Sequence, residues 1–480
     1  MSSAPVSYPV GADYAALLPA FIVAVVPLLI LFVDLFFDRG GATRRRIAVG
    51  IAILGLIAAS LVNVAQYGHD YAAFGGAFVE GGFASVFAEI VIVATVATLL
   101  LSVGIGKDDQ VAGTTALLLW SASGAMLMAG ANSLMTVFLG LELLSLALYC
   151  LCAMSSRRTS REAALKYLIL SSMASGFLLY GSALLFGATG SVTFSALATA
   201  HATPLLALGA GLFLVGLAFK LSLVPFHVWT PDVYEGAPLP VTAFMSVATK
   251  AGTLAVLARF AYAALPPERA AAILVPVWVV AALSMLVGNF AALAQTDMKR
   301  LLAYSGIAQV GYIVAALAGQ TAQGLRYAVF YLAAYTFMNL GAFAVVALMA
   351  KEGDAVIGLH RFAGLAYRRP WLAAAMTFFL IGLAGLPPTA GFTGKILILA
   401  TNVTAGFAWL AGLLILGTAI SAYVYFKLVR AMFARVDPVH VRDERSPNAL
   451  PWLAVGVCAL ATFALGLVPL TPSNILPHVR

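Results

Sequence analysis

Residues 219–242 read FKLSLVPFHVWTPDVYEGAPLPVT, and residues 385–395 read GLPPTAGFTGK. Each stretch combines a lysine with helix-breaking prolines inside a long apolar run. Lys220 precedes Pro225, and Lys395 follows a Pro-Pro pair. Proline removes a backbone donor and clashes with the preceding helical turn, so both stretches predict an interrupted helix. Irregular backbone at membrane depth is tolerated only where protein buries it or where it lines a hydrated cavity. The two stretches therefore predict broken helices around a polar interior.

The composition is typical of an integral membrane protein. The chain has 480 residues, of which 62% are hydrophobic and 10% charged, with a mean hydropathy of +1.00. Soluble domains are about 45–50% apolar and about 25% charged. A soluble protein could not bury so many apolar residues in its core, and large apolar patches would remain on its surface. The balance excludes soluble enzymes, nucleic-acid binders and secreted disulfide scaffolds.

The sequence contains fourteen apolar runs of the length that a helix needs to cross a bilayer, about 20 residues. These predicted spans cover 15–37, 46–66, 83–105, 111–130, 132–154, 162–187, 205–225, 239–262, 271–295, 301–319, 325–350, 371–399, 406–428 and 448–470. We therefore expect an all-α polytopic membrane protein with about 14 transmembrane helices. No basic residue precedes the first run, which indicates a retained helix rather than a signal peptide.

The distribution of basic residues predicts the orientation of the chain. With the N-terminus outside, the inner segments hold nineteen of the 27 basic residues and the outer segments three, Arg269, Arg326 and Arg480. Cytoplasmic loops carry an excess of Lys and Arg, so this arrangement is strongly favoured over its inverse. Both termini are expected on the outer side, and the net charge of +8 mostly reflects topology rather than an anionic partner.

The two proline breaks also indicate an internal repeat. They lie 162–163 residues apart, and predicted spans 4 and 9 begin 160 residues apart. Five helices per unit is an odd number, so consecutive units would be inverted in the membrane, as in many transporters. The expected organisation is a three-helix segment (1–110), a first five-helix repeat of spans 4–8 (111–262), a second, inverted repeat of spans 9–13 (271–433), and a C-terminal loop and last span (434–480).

Apart from the outermost two residues at each span end, eight charged residues lie within the predicted spans, where a charge costs about 2.5–3.5 kcal/mol on insertion scales. They are Asp34, Glu89, Glu142, Lys166, Lys220, Lys250, Arg259 and Lys395. Arg259 and Lys166 lie near span ends and can extend to the interface. Asp34 is expected at the interface, and the role of Glu89 stays open.

The remaining charges lie deeper and predict a proton relay. Lys250 is near the middle of its span, and Glu142 is central in another. A structural ion pair between Glu142 and a lysine is the alternative. We favour a functional proton relay, because several separate lysines lie in the spans without an acidic residue nearby in the sequence, and a single structural ion pair does not account for them. Burial favours neutral lysine and a nearby carboxylate opposes this, so such groups can exchange protons.

The motif of residues 219–242 closely resembles that of the antiporter-like membrane subunits of respiratory complex I. Its WTPDVYEG segment resembles the subunit N branch of NADH–quinone oxidoreductase, since the L and M branches tend to show WLPDA here. Further matches are REAALKY (161–167), QTDMKRLLAYS (295–305) and the 385–395 stretch. The resemblance covers nearly the whole chain.

The resemblance implies a role for each matching residue. Glu142 matches a glutamate that pairs with the lysine matched by Lys220, and Lys250 matches the central lysine that links two half-channels. Lys395 matches the position that gates the far half-channel, where the L and M branches carry a carboxylate. Lys166 matches a lysine near the Glu142–Lys220 pair. Lys166 is therefore an auxiliary relay candidate. His227 is a second one because imidazole titrates near neutrality, with a capping or interfacial role as the alternative.

The resemblance also implies the surroundings of the chain. It predicts a bacterial inner membrane, other membrane-arm subunits as partners, and FMN, iron–sulfur clusters and quinone in those partners. We expect no cofactor or metal site in this chain, because the sequence contains no dinucleotide, P-loop or CxxC motif. Two alternatives stay open: a cation/proton antiporter subunit without a redox partner, and an assembly scaffold whose charges only hold helices together.

Overall fold

The computed structural model describes residues 11–36, 42–103, 110–201, 203–265, 267–350, 357–435 and 449–467. Nineteen α-helices occur in this part of the chain. They are α1 (Gly11–Ala16), α2 (Leu18–Asp34), α3 (Ala42–Gln66), α4 (Gly82–Ser102), α5 (Val111–Gly130), α6 (Leu134–Ala153), α7 (Arg158–Thr189), α8 (Phe194–Thr199), α9 (Pro204–Lys220), α10 (Trp229–Gly236), α11 (Leu239–Arg259), α12 (Pro267–Leu293), α13 (Met298–Ala315), α14 (Ala322–Met349), α15 (Leu365–Arg368), α16 (Pro370–Ala384), α17 (Ala390–Thr404), α18 (Ala408–Phe433) and α19 (Leu450–Leu467).

The protein is a predominantly α-helical polytopic membrane protein. Ten of the described helices are long and apolar enough to cross a membrane, and α2, α9 and α16 are shorter apolar helices. Each of the fourteen predicted spans overlaps a helix of the structure. Both chain ends lie outside the described residues. So do six of the basic residues counted in the orientation argument, which are Arg39, Lys107, Lys351, Arg442, Arg445 and Arg480.

The two helix interruptions predicted from proline are confirmed. Helix α9 ends at Lys220, and the chain becomes helical again only at α10. Helix α16 ends at Ala384, where Gly385 adopts the left-handed conformation (φ 80°), and α17 begins at Ala390. A positive φ at a helix C-terminus favours glycine because it lacks a Cβ. At the second break the last two carbonyls of α16, those of Leu383 and Ala384, accept no backbone hydrogen bond among the described residues.

Two helices form the centre of the bundle. Every residue of α11 is buried, and most of α14 is buried beside it. Helices α4, α5 and α14 pack around α11, so its side chains face protein on all sides. A polar residue on α11 therefore needs hydrogen-bond partners within the protein, because burying an unpaired polar group is costly.

A small β-hairpin connects α3 and α4, a feature that the sequence did not reveal. Its strands, β1 (Tyr71–Ala73) and β2 (Phe78–Glu80), pair antiparallel. Glu80 is buried in this hairpin and accepts a hydrogen bond from the Ser85 hydroxyl (2.9 Å). Burial raises the pKa of Glu80 to about 7, while hydrogen bonds from Ser85 and the Gly81 backbone and the charge of Arg259 oppose the shift. The carboxyl of Glu80 can therefore titrate near neutral pH.

Candidate functional site: a row of buried lysines

The first lysine site lies at the interruption after α9. Lys220 is the last residue of α9 and is 1% exposed. Its ammonium donates to Ser145 Oγ (2.7 Å), Tyr167 Oη (3.0 Å) and Ser171 Oγ (3.2 Å). A lysine ammonium has three N–H donors and no acceptor, so these three oxygens satisfy it completely. The negative end of the α9 dipole adds to this stabilisation.

Glu142 lies on α6 close to this site but does not touch Lys220. Its carboxylate accepts a hydrogen bond from Ser175 Oγ (2.5 Å), and the side chain is half-buried. Within the described part of the chain no ion pair joins Glu142 to Lys220. Hydroxyl groups of α6 and α7 contact the two groups instead. The direct pair that the resemblance implied is therefore not formed in this structure.

Aromatic rings enclose the Lys220 ammonium. Tyr167 stacks on Trp229 (4.7 Å between centroids) and meets Tyr149 edge-on (5.0 Å). The ammonium lies 5.0 Å from the Tyr167 ring centroid, at cation–π distance. The Tyr149 hydroxyl is buried near the hydroxyls of Ser145 and Ser171. These rings keep bulk solvent away from Lys220.

Lys166 lies at a polar surface, not beside the Glu142–Lys220 pair. Its side chain is 44% exposed and forms ion pairs with Glu162 (2.9 Å) and Asp232 (3.0 Å). Arg300 pairs with Asp232 (2.7 Å) and Glu235 (2.8 Å). Burial alone would raise the pKa of Asp232, but the hydrogen bonds from Arg300 and Lys166 lower it. Of the two adjacent residues Lys166 and Tyr167, only Tyr167 forms a hydrogen bond with Lys220.

We predict that Lys166→Ala changes proton pumping by about twofold at most. Exposed ion pairs are worth about 0–1 kcal/mol, and Arg300 still pairs with Asp232 in the variant. NADH-driven acidification of inverted membrane vesicles measures this effect. A tenfold loss in assembled complex would instead place Lys166 in the relay.

His227 lies in the interruption between α9 and α10. Its ring is half-buried, with its centroid 6.3 Å from that of the Tyr304 ring. Nδ1 is buried and has no hydrogen-bond partner among the residues described. No hydrogen bond joins His227 to Lys220 within that same part of the chain. The histidine and the lysine share the break without contacting each other.

The second lysine site is at the centre of the bundle. Lys250 lies midway along α11 and is 1% exposed. It donates to Tyr335 Oη (3.2 Å), and its ammonium is 5.2 Å from that ring centroid. A Cβ at Gly306 would lie 2.6 Å from the ammonium, so glycine leaves it room. No carboxylate pairs with Lys250 among the described residues.

The third lysine site uses the second helix interruption. Lys395 on α17 is 3% exposed and donates to the carbonyls of Leu383 (2.9 Å) and Ala384 (3.1 Å). These are the last two residues of α16, whose terminal carbonyls lack partners within the helix. The ammonium also lies 4.8 Å from the Tyr312 ring centroid. The break thus supplies the acceptors for the lysine.

Polar side chains occupy the space between the second and third lysines. Ser305, which adjoins the glycine beside Lys250, hydrogen-bonds Tyr425 (2.6 Å). Gln309, one turn further along α13, accepts from Tyr331 Oη (2.5 Å) and donates to the Leu383 carbonyl (3.0 Å) that Lys395 also contacts. The structure therefore brings Lys250 and Lys395 into one hydrogen-bonding region.

The sequence interpretation missed these uncharged partners. Its only available signal was helical spacing, since Ser171 and Ser175 lie four residues apart and so share one face of a helix. A fourth lysine, Lys299 at the start of α13, is also fully buried. Lys299 donates to the backbone carbonyls of Glu235 and Ala237 at the end of α10.

Two further charges lie outside the row. Arg259, near the end of α11, is buried in the protein with its guanidinium 5.0 Å from the Phe83 ring centroid. Glu89 accepts hydrogen bonds from Ser60 (3.0 Å) and Asn63 (2.8 Å) beside a cavity of about 280 Å³. Both groups have structural partners of their own.

Comparison with known proteins identifies the family. Residues 131–421 match the family described as NADH:quinone oxidoreductase/Mrp antiporter, TM. The sequence is 39% identical to NADH-quinone oxidoreductase subunit N 1 of Symbiobacterium thermophilum over 98% of each chain. This chain belongs to the NADH-quinone oxidoreductase subunit N family. A second member, subunit N of Rhodospirillum rubrum, is 39% identical over 92% of each chain.

Solved structures share the fold of this subunit N family member. A chain of respiratory complex I from Thermus thermophilus with bound aureothin has a TM-score of 0.83 and 36% identity, covering 95% of this chain and 99% of that one. A chain of the Mrp complex from Dietzia sp. has a TM-score of 0.80 at 20% identity, covering 95% of each. The Mrp likeness shows a common fold alone.

Proposed function

We propose that this chain translocates protons as a membrane-arm subunit of an NADH–quinone oxidoreductase. The relay would consist of Glu142, Lys220, Lys250 and Lys395, with His227 as an auxiliary group. The observation that carries the proposal is that all three lysines are buried yet held by neutral oxygens. An ammonium paired with a carboxylate is locked in its charged form, whereas one held by neutral groups can release and regain a proton.

The proposed architecture has fourteen membrane crossings and two inverted five-helix repeats. In it, α9 and α16–α17 are the broken helices at matching positions, and the domain limits are those expected from the sequence. Both chain ends would face the outer side of a bacterial inner membrane. The excess of basic residues in the inner segments supports this orientation.

The redox chemistry would take place in partner subunits. FMN, iron–sulfur clusters and quinone are assigned to those partners, and this chain would hold no cofactor or metal of its own. Quinone reduction elsewhere in the complex would bias proton occupancy along the lysine row. Because interacting groups titrate together, a change at the Glu142–Lys220 end would be felt by the next lysine.

The second candidate function is that of a cation/proton antiporter subunit, which the fold likeness to the Mrp complex keeps open. The subunit N form of the 229–236 segment and the identity to subunit N proteins favour the first candidate. Purification of the chain from its native membrane separates the two. Flavin- and iron–sulfur-containing subunits should copurify with it, and their absence from an intact complex would favour the antiporter.

The relay is tested by Lys220→Ala in inverted membrane vesicles, recording NADH-driven quinone reduction and acidification together. We expect the complex to assemble and both rates to fall at least about tenfold, because proton transfer and electron transfer are coupled. Normal rates would make Lys220 structural and would contradict the relay. Loss of assembly that a charge-conserving substitution restores would support the scaffold alternative.

A further inference from the structure

Hydroxyl groups of one helix contact both Lys220 and Glu142. Tyr167, Ser171 and Ser175 follow one another at four-residue spacing on α7, and therefore share one face of that helix. The Lys220 ammonium donates to the first two of them, and Ser175 donates to the Glu142 carboxylate. One hydroxyl face thus contacts the lysine at one end and the glutamate at the other.

The hydroxyls around Lys220 differ in which acceptor their own proton can reach. Ser145 Oγ donates to the Leu141 carbonyl (2.5 Å) in its own helix, so its proton is already engaged. Ser171 Oγ accepts from Lys220, and its own proton faces two candidate acceptors, the nearby Tyr149 hydroxyl and the Ser175 hydroxyl one turn along α7. Side chains four residues apart have Cβ atoms about 5–6 Å apart. This spacing allows a rotation of the Ser171 side chain to turn its O–H from Tyr149 toward Ser175.

We propose that Ser171 and Ser175 form the link through which Lys220 and Glu142 exchange a proton. This inference deepens the proposed relay and rests on it. The pair would act across two hydroxyls rather than as a direct salt bridge. Ser171 is the residue that contacts the ammonium, and Ser175 is the one that contacts the carboxylate.

The transfer balances, because one proton leaves Lys220, one arrives at Glu142 and each serine keeps one proton. Lys220 gives one N–H proton to Ser171 Oγ as Ser171 gives its own proton to Ser175 Oγ, and Ser175 gives its proton to Glu142 Oε1. The ammonium becomes an amine and the carboxylate becomes a carboxylic acid, while both serines end as neutral hydroxyls. The reverse sequence restores the two charges.

The test compares serine variants in the assembled complex, by NADH-driven acidification and quinone reduction in inverted vesicles. Ser171→Ala and Ser175→Ala should each lower both rates about tenfold, since a hydrogen bond to a charged group contributes appreciably to its transfer step. Ser171→Thr keeps a hydroxyl and should restore most of the rate. Ser172→Ala is the matched control, because Ser172 is an exposed serine of the same helix turn and donates to neither Lys220 nor Glu142 in the described part of the chain.

The outcomes separate this link from the relay itself. If Lys220→Ala abolishes pumping while both serine variants pump normally, the relay stands and the hydroxyl link is wrong. If Lys220→Ala also pumps normally, both proposals are wrong. Equal loss in Ser171→Ala and Ser171→Thr would also overturn the link, since it would show a requirement for side-chain size rather than for a hydroxyl. Ser175, being half-buried, provides an independent test if the Ser171 variants do not assemble.

Discussion

Replacing Lys250 with alanine is expected to lower NADH-driven proton pumping about a hundredfold while the complex still assembles. Lys250 is the middle member of the lysine row, and a positioned proton-transfer group contributes about 10²–10⁴-fold to the rate. Its ammonium is held by Tyr335 Oη, and no other titratable nitrogen contacts that hydroxyl within the described chain. Acidification and quinone reduction in the same vesicles measure the loss, and blue-native electrophoresis measures assembly.

Two control variants decide what the loss means. Lys427→Ala removes the same charge from an exposed position on α18 and should leave both rates unchanged. Lys250→Arg retains a positive charge that cannot be released, since guanidinium stays protonated in proteins. If Lys250→Arg assembles and pumps normally, the charge is structural and the relay fails at this position. If it assembles and is inactive, proton release is required.

Replacing Gly391 with alanine is expected to reduce the amount of folded chain in the membrane about fivefold or more. The first turn of α17 crosses the end of α16 so closely that a Cβ at Gly391 would overlap the Gly382 carbonyl oxygen. The atoms that would have to move are backbone atoms, which cannot rotate away as a flexible side chain can. Overpacking a tight contact costs about 1–3 kcal/mol, a large share of the stability of a folded protein.

Immunoblotting of membranes and thermal unfolding in detergent measure this effect. Gly412→Ala is the matched control, because Gly412 is a helical glycine of α18 with no atom within 4 Å of its added Cβ. Alanine there should be neutral or slightly stabilising. Equal yields of the two variants would show that the close approach of α16 and α17 is not required for folding.

The sequence predicted the helix breaks and the buried lysines with physical reasons that hold in the structure. Proline cannot continue a helix, so the interruption after Lys220 follows from local chemistry. A charge in an apolar run is rare because burial is costly, so Lys220, Lys250 and Lys395 stood out. The three are indeed almost fully buried. Lys166 lies at a polar surface, as its position near a span end allowed, and Lys299 is buried against the end of α10.

The uncharged half of the site could not be predicted in the same way. Serine and tyrosine are common in membrane helices, where a hydroxyl can bond a carbonyl of its own helix, as Ser145 does. Nothing in the chain distinguishes Ser171 from its neighbour Ser172 until α7 is packed against α9. The hairpin of β1 and β2 was likewise missed, because its strands have only three residues each.

The sequence by itself determined that this protein crosses a membrane, where its helices break and which charges lie in them. These properties depend on hydrophobicity and backbone chemistry, which act locally along the chain. Only the tertiary structure decided what each charge contacts. It placed hydroxyls between Glu142 and Lys220, and the last carbonyls of α16 against Lys395. Such contacts join residues far apart in the chain, and their geometry exists only once the helices have packed.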